Sequence, residues 1–153
     1  MFRAMFDNRV LACVLLVVVA CGVCLAETVN INPHKIVLNA QGASDDVQAN
    51  VHIILDGAWV VDFDVMLMFD DGDGDIVVAE AESAFYCVLD DILIVGFDRT
   101  TLQNNPDVQD MANKTVTATV TGTVTVKNAD GEETTKSFSG SDLVEIVAPG
   151  KKG

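Results

Sequence analysis

The sequence predicts an all-β domain, a two-layer β-sandwich, that follows an N-terminal export segment. Apolar residues recur at every second position in several stretches of the chain, which is typical of strands buried on one face. Turn residues such as Asp-Gly separate these stretches about every ten residues, the spacing expected in a sandwich. Helix-period patterns do not alternate with the strands, so the sequence does not indicate an α/β sheet.

The export segment covers residues 1–26. Arg3 and Arg9 precede an apolar run from Val10 to Ala26, and Glu27 opens a strongly acidic remainder. A positive region, an apolar region and a final small residue are the parts of a secretory signal peptide. We therefore expect a signal helix in residues 1–26, a folded domain in residues 27–148 and a loose tail in residues 149–153.

Three fates of this segment remain open. Cleavage after Ala26 would give simple secretion, since Cys24 and Ala26 are the small residues that a signal peptidase accepts. Val18-Val19-Ala20-Cys21 resembles the lipobox of bacterial lipoproteins, which predicts a lipid on Cys21. An uncleaved run of this length would just span a thin bilayer. We expect a secreted or cell-envelope protein that reaches a membrane only through the segment or a lipid on Cys21.

The charge of the chain limits the kinds of partner that it is expected to bind. The chain has 23 acidic and 9 basic residues and a formal net charge of -14, a field that repels phosphate backbones. Nucleic acid is therefore not expected as a partner, whereas a protein or an envelope component is.

Beyond the export segment only Cys87 remains, so no internal disulfide can form, and its apolar neighbours predict an inert, buried thiol.

The first half of the domain contains the following elements in order. Residues 28–32 and 35–39 are predicted as an edge strand kinked at Pro33, because proline has no N–H for the ladder and is confined to edges and bulges. Residues 41–46 form a polar turn. Residues 47–55 alternate apolar and polar side chains and form a half-buried strand.

The strand at residues 60–69 and the elements after it follow the same reasoning. Five apolar residues of this strand alternate and are predicted to face the core: Val61, Phe63, Val65, Leu67 and Phe69. An acidic loop at 70–75 follows. The next elements are a short strand at 76–79, a strand or helical turn at 81–89, a central strand at 91–98 and a short helix or crossover at 99–113.

The clearest strand lies at residues 115–127. Its inward positions are Val116, Ala118, Val120, Val124 and Val126, and its outward positions are the threonines at 115, 117, 119, 121, 123 and 125. This pattern predicts a sheet that is packed on one face and wet on the other. A turn at 128–131, a return strand at 133–139 and a closing strand at 143–147 complete the prediction.

Several segments, in their order, resemble the small immunoglobulin-like sandwich modules of exported and surface proteins of bacteria and archaea. They are Val29-Asn30-Ile31-Asn32-Pro33, the stretch from Asp91 to Arg99, Val120-Thr121-Gly122 and the stretch from Phe138 to Ile146. The resemblance implies a Greek-key, immunoglobulin-like sandwich with a non-catalytic structural or accessory role. Such modules often carry a glycine-rich calcium loop before the Phe-Asp-Arg strand end, and here residues 86–90 lack those glycines.

The acidic loop offers a candidate calcium site. Asp71, Asp73 and Asp75 occupy positions 1, 3 and 5 of an EF-hand-like loop, and Glu82 falls at position 12. Position 6 requires glycine and here holds Ile76, whose branched side chain resists positive φ. Two interpretations stay open: a weak calcium site that can also use Asp70, or an acidic turn with solvated carboxylates.

Other chemistry has little support in the sequence. His34 and His52 lie on different predicted strands, so they lack the spacing of zinc ligands and are expected at the surface. No nucleophile motif accompanies them, and we expect no enzyme. Trp59 after the Asp56-Gly57 turn is either a core residue, the favoured interpretation, or a stacking platform for a sugar.

We therefore expect an exported, non-catalytic structural or accessory module. The alternative is a module that binds calcium, carbohydrate or protein through the 70–75 loop and the Trp59 turn.

Overall fold

The computed structural model describes residues 27–38 and 46–148. The predicted signal helix, most of the polar turn at 41–46 and the tail at 149–153 lie outside the described residues. The elements are β1 (Thr28–Asn32), β2 (Lys35–Val37), β3 (Val47–His52), β4 (Trp59–Asp70), β5 (Ile76–Cys87), β6 (Ile92–Phe97), α1 (Arg99–Asn104), α2 (Pro106–Gln109), β7 (Lys114–Lys127) and β8 (Glu133–Val147). The prediction of an all-β domain is confirmed.

The strands form one mixed sheet of eight strands in the order β1-β3-β6-β5-β4-β7-β8-β2. All neighbours are antiparallel except β2 and β8, which run parallel. β5 changes its partner along its length, because Ile76 to Glu80 pair with β4 and Ala81 to Cys87 pair with β6. This change of partner folds the sheet over, so that it nearly closes into a barrel.

The barrel closes where β1 lies beside β8, a region that we call the β1–β8 seam. The Glu27 amide donates to the Ser139 carbonyl over 2.7 Å, and the Ile31 amide donates to Asp142 Oδ2 over 2.8 Å. After Pro33 the chain continues as β2, which pairs with the end of β8. β1 and β2 are the two end strands of the sheet order, so the prediction of an edge strand that is broken at Pro33 is confirmed, and the seam brings the two edges of the sheet together.

The core lies between the inward faces of these strands. On β7 the residues Val116, Ala118, Val120, Val124 and Val126 are buried, and the intervening threonines are half-buried or exposed, as the alternation predicts. Phe69 and Phe97 are the largest fully buried side chains. Burial of each such side chain stabilises the fold by roughly 1.5–3 kcal/mol.

Bulges explain where the strand predictions were wrong. The two segments predicted at 76–79 and 81–89 are one strand, β5, which ends at Cys87 and has a register shift between Ala81 and Ser83, while residues 88 and 89 belong to the following turn. On β4 the register against β7 shifts between Val60 and Asp62, so Val61 turns outward and is exposed, while Val65, Leu67 and Phe69 are buried as predicted. A bulge inserts one residue and reverses the faces on one side of it.

Strand ends differ from the predictions in two further places. β3 ends at His52, yet Ile53 and Leu55 beyond it are buried. The predicted return and closing strands form one continuous strand, β8. Bends in the barrel therefore occur within strands as well as at turns.

The two helices confirm the prediction for residues 99–113. Asp98 caps α1 by accepting from the Thr100 and Thr101 amides, and Asn105 caps α2 by accepting from the Asp107 amide. α1 buries Leu102 against the core, and α2 buries Val108. Within residues 27–38 and 46–148, neither helix has the length and apolar character needed to cross a membrane.

Candidate functional site

The acidic loop between β4 and β5 is folded by one of its own carboxylates. Asp70 Oδ1 accepts from the Gly72 amide over 2.7 Å and from the Gly74 amide over 3.1 Å. Both glycines have φ of 115°, a region that side chains disfavour. Asp70 therefore organises the turn, and its Oδ1 atom is already engaged.

A second carboxylate of this loop is paired with a cation of the protein itself. Lys114 Nζ, at the start of β7, lies 3.1 Å from Asp71 Oδ2, and the Asp73 amide donates to Asp71 Oδ1 over 3.4 Å. The hydrogen bond from Lys114 is the main cause that lowers the pKa of Asp71 below its ordinary value. Each carboxylate oxygen of Asp71 therefore already has a partner within the protein.

The predicted calcium ligands are not brought together. Asp73 and Asp75 are exposed on the loop, and Glu82 is exposed within β5, about 20 Å further along the strand at its usual rise per residue. In the part of the chain that the structure describes, no three His, Cys, Asp or Glu side chains form a group that could hold a metal ion. Calcium binding stays a prediction, and it would rest on the loop alone.

Removal of the Lys114 ammonium should change this loop measurably. We expect Lys114→Met to raise the pKa of Asp71 toward 3.8 and to strengthen calcium binding by roughly tenfold from a millimolar starting value, because it frees one carboxylate. Nuclear magnetic resonance titration and calorimetry would measure the two effects. Lys35→Met, which breaks the exposed pair with Glu145, is the matched control. An unchanged Asp71 pKa would show that the pair does not form in solution.

The opposite end of the sheet carries Trp59, the first residue of β4. Its side chain is 57% exposed, so the favoured prediction of core packing is wrong. The Ala58 amide donates to the Lys127 carbonyl, which starts the pairing with β7 and leaves the indole outside. Trp59 and Asp70 lie at opposite ends of β4, about 35 Å apart, so Trp59 and the acidic loop cannot share one small ligand.

Two loops, one of which leads into Trp59, meet at what we call the entry end, formed by Glu27, residues 53–58 and residues 88–91. The Ile53 amide donates to the Asp91 carbonyl over 3.0 Å, and Lys136 Nζ donates to the Ile54 carbonyl over 3.2 Å. Glu27, Ile54, Asp90 and Lys136 line one shallow groove there. The chain therefore enters the domain beside these loops.

Tyr86 holds the entry end together, a role that the sequence analysis did not recognise. Its buried hydroxyl accepts from the Leu55 amide over 3.1 Å and lies 3.2 Å from the Ile53 carbonyl and 3.1 Å from Asp91 Oδ1. The hydroxyl proton serves one of these two acceptors at a time. The only signal in the sequence is that this is the single tyrosine, placed at an inward position of an alternating segment.

The phenol of Tyr86 should titrate abnormally. Burial raises the pKa of Tyr86 above its ordinary 10.0, and the Asp91 carboxylate adds to the rise. The unfolded chain loses the phenol proton near pH 10, and the folded chain loses it at higher pH. The contribution of Tyr86 to the free energy of unfolding is therefore fully present below pH 10 and is lost as the pH rises through the folded pKa. Since the chain has one tyrosine, phenolate absorbance with and without denaturant measures both values directly.

The matched variant is Tyr86→Phe. We expect it to lower the free energy of unfolding by about 1–3 kcal/mol, because the Leu55 amide loses its partner. It should also remove the part of the stability loss above pH 10 that the phenol causes. Identical titration curves for the folded and unfolded chain would contradict this account.

The remaining candidate residues lie at the surface. Cys87 is half-buried, and its thiol lies 3.4 Å from Asp90 Oδ2, so the prediction of a core cysteine is wrong. The inward position of β5 belongs to Tyr86, which places Cys87 on the outer face. His34 and His52 are exposed, as predicted.

The outer face of β7 and β8 is rich in hydroxyl groups. Thr119 and Ser141 are 2.9 Å apart, and Thr125 and Thr135 are 2.8 Å apart, so hydroxyls pair across the two strands. The threonine row of β7 is apparent from the sequence, whereas its partner row on β8 is not, because the pairing register depends on residues far apart in the chain.

Comparison of the chain with protein-family models, with curated proteins and with solved structures gives no match. Function is therefore inferred from the strand order, from the chemistry of the two ends of the sheet and from the apolar segment that precedes Glu27.

Proposed function

We propose that the chain is an exported, non-catalytic module with an immunoglobulin-like sandwich fold, which acts at the cell envelope or outside the cell by presenting or joining surfaces. The observation that carries this proposal is the strand order. Immunoglobulin domains have the orders A-B-E-D and C-F-G in their two sheets. The runs β1-β3-β6-β5 and β4-β7-β8 correspond to these orders, with β2 as the continuation of the first strand onto the last.

The resemblance noted in the sequence supports the same proposal. Two of its segments, which start at Val29 and Phe138, are more than a hundred positions apart and meet at the β1–β8 seam. Asp142 of the second segment accepts from the Ile31 amide of the first. Residues that carry the resemblance therefore contact each other where the sheet closes.

The position of Glu27 is compatible with either fate of the export segment. The apolar run ends at Ala26, and the next residue already bonds to Ser139 in the sheet. Cleavage after Ala26 would leave an amine at Glu27 that still donates to the Ser139 carbonyl. The fold described here is therefore compatible with either removal or retention of the segment.

Polar groups of the domain are used largely to fold it. The side chains of Asp70, Asp98, Asn128 and Asp142 each accept hydrogen bonds from backbone amides at a turn, a helix start or the seam. Buried or constrained amides need such partners. This use of side-chain oxygens fits a structural module, since each of these four side chains accepts at least one backbone hydrogen bond.

Cell fractionation combined with the intact mass of the product tests the proposal. We expect the chain outside the cytoplasm, either cut after Ala26 or carrying a lipid on Cys21, because both products follow from the segment. A chain found in the cytoplasm with residues 1–26 intact would contradict export. An enzymatic activity that survives in purified protein would contradict the non-catalytic role.

A second candidate is a binding module, and the exposure of Trp59 favours it. A bare indole at the surface can stack on a sugar ring. If it does, Trp59→Ala should abolish binding to an oligosaccharide array, whereas Phe85→Ala, a change at another exposed aromatic residue, should not. Calcium at the acidic loop would be a separate site, since the two lie at opposite ends of β4.

A further inference from the structure

We propose that the entry end of the domain lies against a lipid bilayer, with Ile54, Trp59, Val88 and Leu89 as the side chains that contact it. This inference rests on the proposed export of the chain. It adds an orientation of the domain and a surface that the proposed function leaves unassigned.

The first observation is the exposure of large apolar side chains on the two loops of the entry end. Ile54 is 73% exposed and Leu89 is 94% exposed, and Val88, next to Leu89 in the chain, and Trp59, directly after residues 53–58, are also more than half exposed. A group of large apolar side chains in water is costly and marks an interaction surface. Tryptophan in particular favours the boundary between lipid and water, where its ring is buried and its N–H stays hydrated.

The loops that carry these side chains are fixed in place. Ile54 and Leu89 belong to different loops, and the bond between the Ile53 amide and the Asp91 carbonyl joins them. The Tyr86 hydroxyl adds a second link between the same loops. Hydrogen bonds therefore hold the two loops that carry the apolar side chains in a fixed arrangement.

The second observation is the length of chain outside the structure and the place where it ends. The apolar run from Val10 ends at Ala26, and Glu27 lines the same groove as Ile54 and Asp90. A lipid on Cys21 would leave five residues before Glu27, which span at most roughly 20 Å. An uncleaved segment would leave none. Either form of attachment brings the entry end to the bilayer and directs the acidic loop away from it.

Charge selects the kind of bilayer surface. Asp56, Asp90 and Asp91 lie at the entry end, and the chain has a net charge of -14. Anionic headgroups would repel such a surface, so the bilayer that this end contacts is zwitterionic.

Trp59 is the only tryptophan and reports on the contact without a label. The full-length chain, with its N-terminal segment and any lipid retained, is reconstituted into phosphatidylcholine vesicles. Lipid brominated on its acyl chains should quench Trp59 fluorescence by about twofold or more, because bromine quenches only at contact and the ring lies at the interface. Leu89→Asp should abolish most of this quenching. Leu143→Asp changes an equally apolar, 61% exposed side chain that the register places near Thr117 and Asp70, and should leave it intact.

Several outcomes would overturn the inference. Trp59 emission that is not quenched by brominated lipid places the entry end in water. A blue shift of Trp59 emission that grows with the amount of protein per vesicle, without quenching by brominated lipid, would show that this end contacts a second copy of the chain. A product cut after Ala26 and without lipid removes the attachment, yet it leaves the proposed export intact. Retention in the cytoplasm would instead defeat the proposed function itself.

Discussion

Alanine in place of Gly122 should destabilise the domain by about 3 kcal/mol or more, which is a large part of the stability of a small domain. A Cβ atom at this position of β7 would collide with the Asp64 carbonyl oxygen and would lie 2.7 Å from Val65 Cα. These are backbone atoms of the neighbouring strand β4, so no side-chain rotation can relieve the contact. Chemical denaturation followed by fluorescence would measure the loss.

The matched control for this substitution is Thr121→Ala. It changes the adjacent residue of β7, which is half-buried and donates one hydroxyl hydrogen bond to the Phe138 carbonyl. We expect a loss of about 1 kcal/mol, since a single partly exposed hydrogen bond is removed. If Gly122→Ala were as mild as the control, β4 and β7 would not approach as closely as described.

Valine in place of Gly140 should open the β1–β8 seam. Its side chain would collide with the Glu27 carbonyl oxygen and with Val29 Cγ2, both on the segment that closes the barrel. The backbone contact forces β1 away from β8, and the bonds at Ser139 and Asp142 are lost with it. Overpacking and two lost hydrogen bonds together predict a loss of about 3 kcal/mol, which for a domain of this size lowers Tm by roughly 10 °C.

Ser137→Val is the control for the seam. It introduces the same side chain on the same strand, at an exposed outward position opposite Thr123. Surface changes of this kind usually alter stability by less than about 0.5 kcal/mol. Equal stability of the two valine variants would show that β1 does not lie on β8. Hydrogen exchange adds a local readout, because only Gly140→Val should expose the Ile31 amide.

The parts of the fold that the sequence predicts correctly depend on local periodicity. The alternation in residues 115–127 leads directly to the buried valines of β7, and the short helix expected from residue 99 is present as α1. These features need no knowledge of distant partners. The same is true of the turn chemistry around Gly72 and Gly74.

The errors arise where register or long-range pairing decides. Val61 alternates with the core residues of its strand, but the bulge beside it turns it outward. Cys87 has apolar neighbours in sequence, yet Tyr86 takes the inward position. Trp59 is exposed because it begins β4 at the rim of the sheet.

The candidate site also combines features that are local in sequence with features that depend on long-range pairing. The sequence identifies the acidic loop, since carboxylates and glycines are local. It does not indicate that Lys114, more than forty positions away, neutralises Asp71. The sequence also does not indicate that Glu82 lies far along a strand or that Ile54 and Leu89 lie at one end of the domain. Both placements depend on the complete strand order.

The closure of the sheet by its first strands is the central claim, because the strand order, the seam and the entry end all depend on it. Cross-strand nuclear Overhauser effects test it most directly. Closure predicts contacts between Ile31 and Ala49 on one side of the first two strands. On their other side it predicts contacts between Ile36 and Ile146 and from the Ile31 amide to Asp142. Contacts of β1 with β3 alone, with none from β1 or β2 to β8, would contradict it.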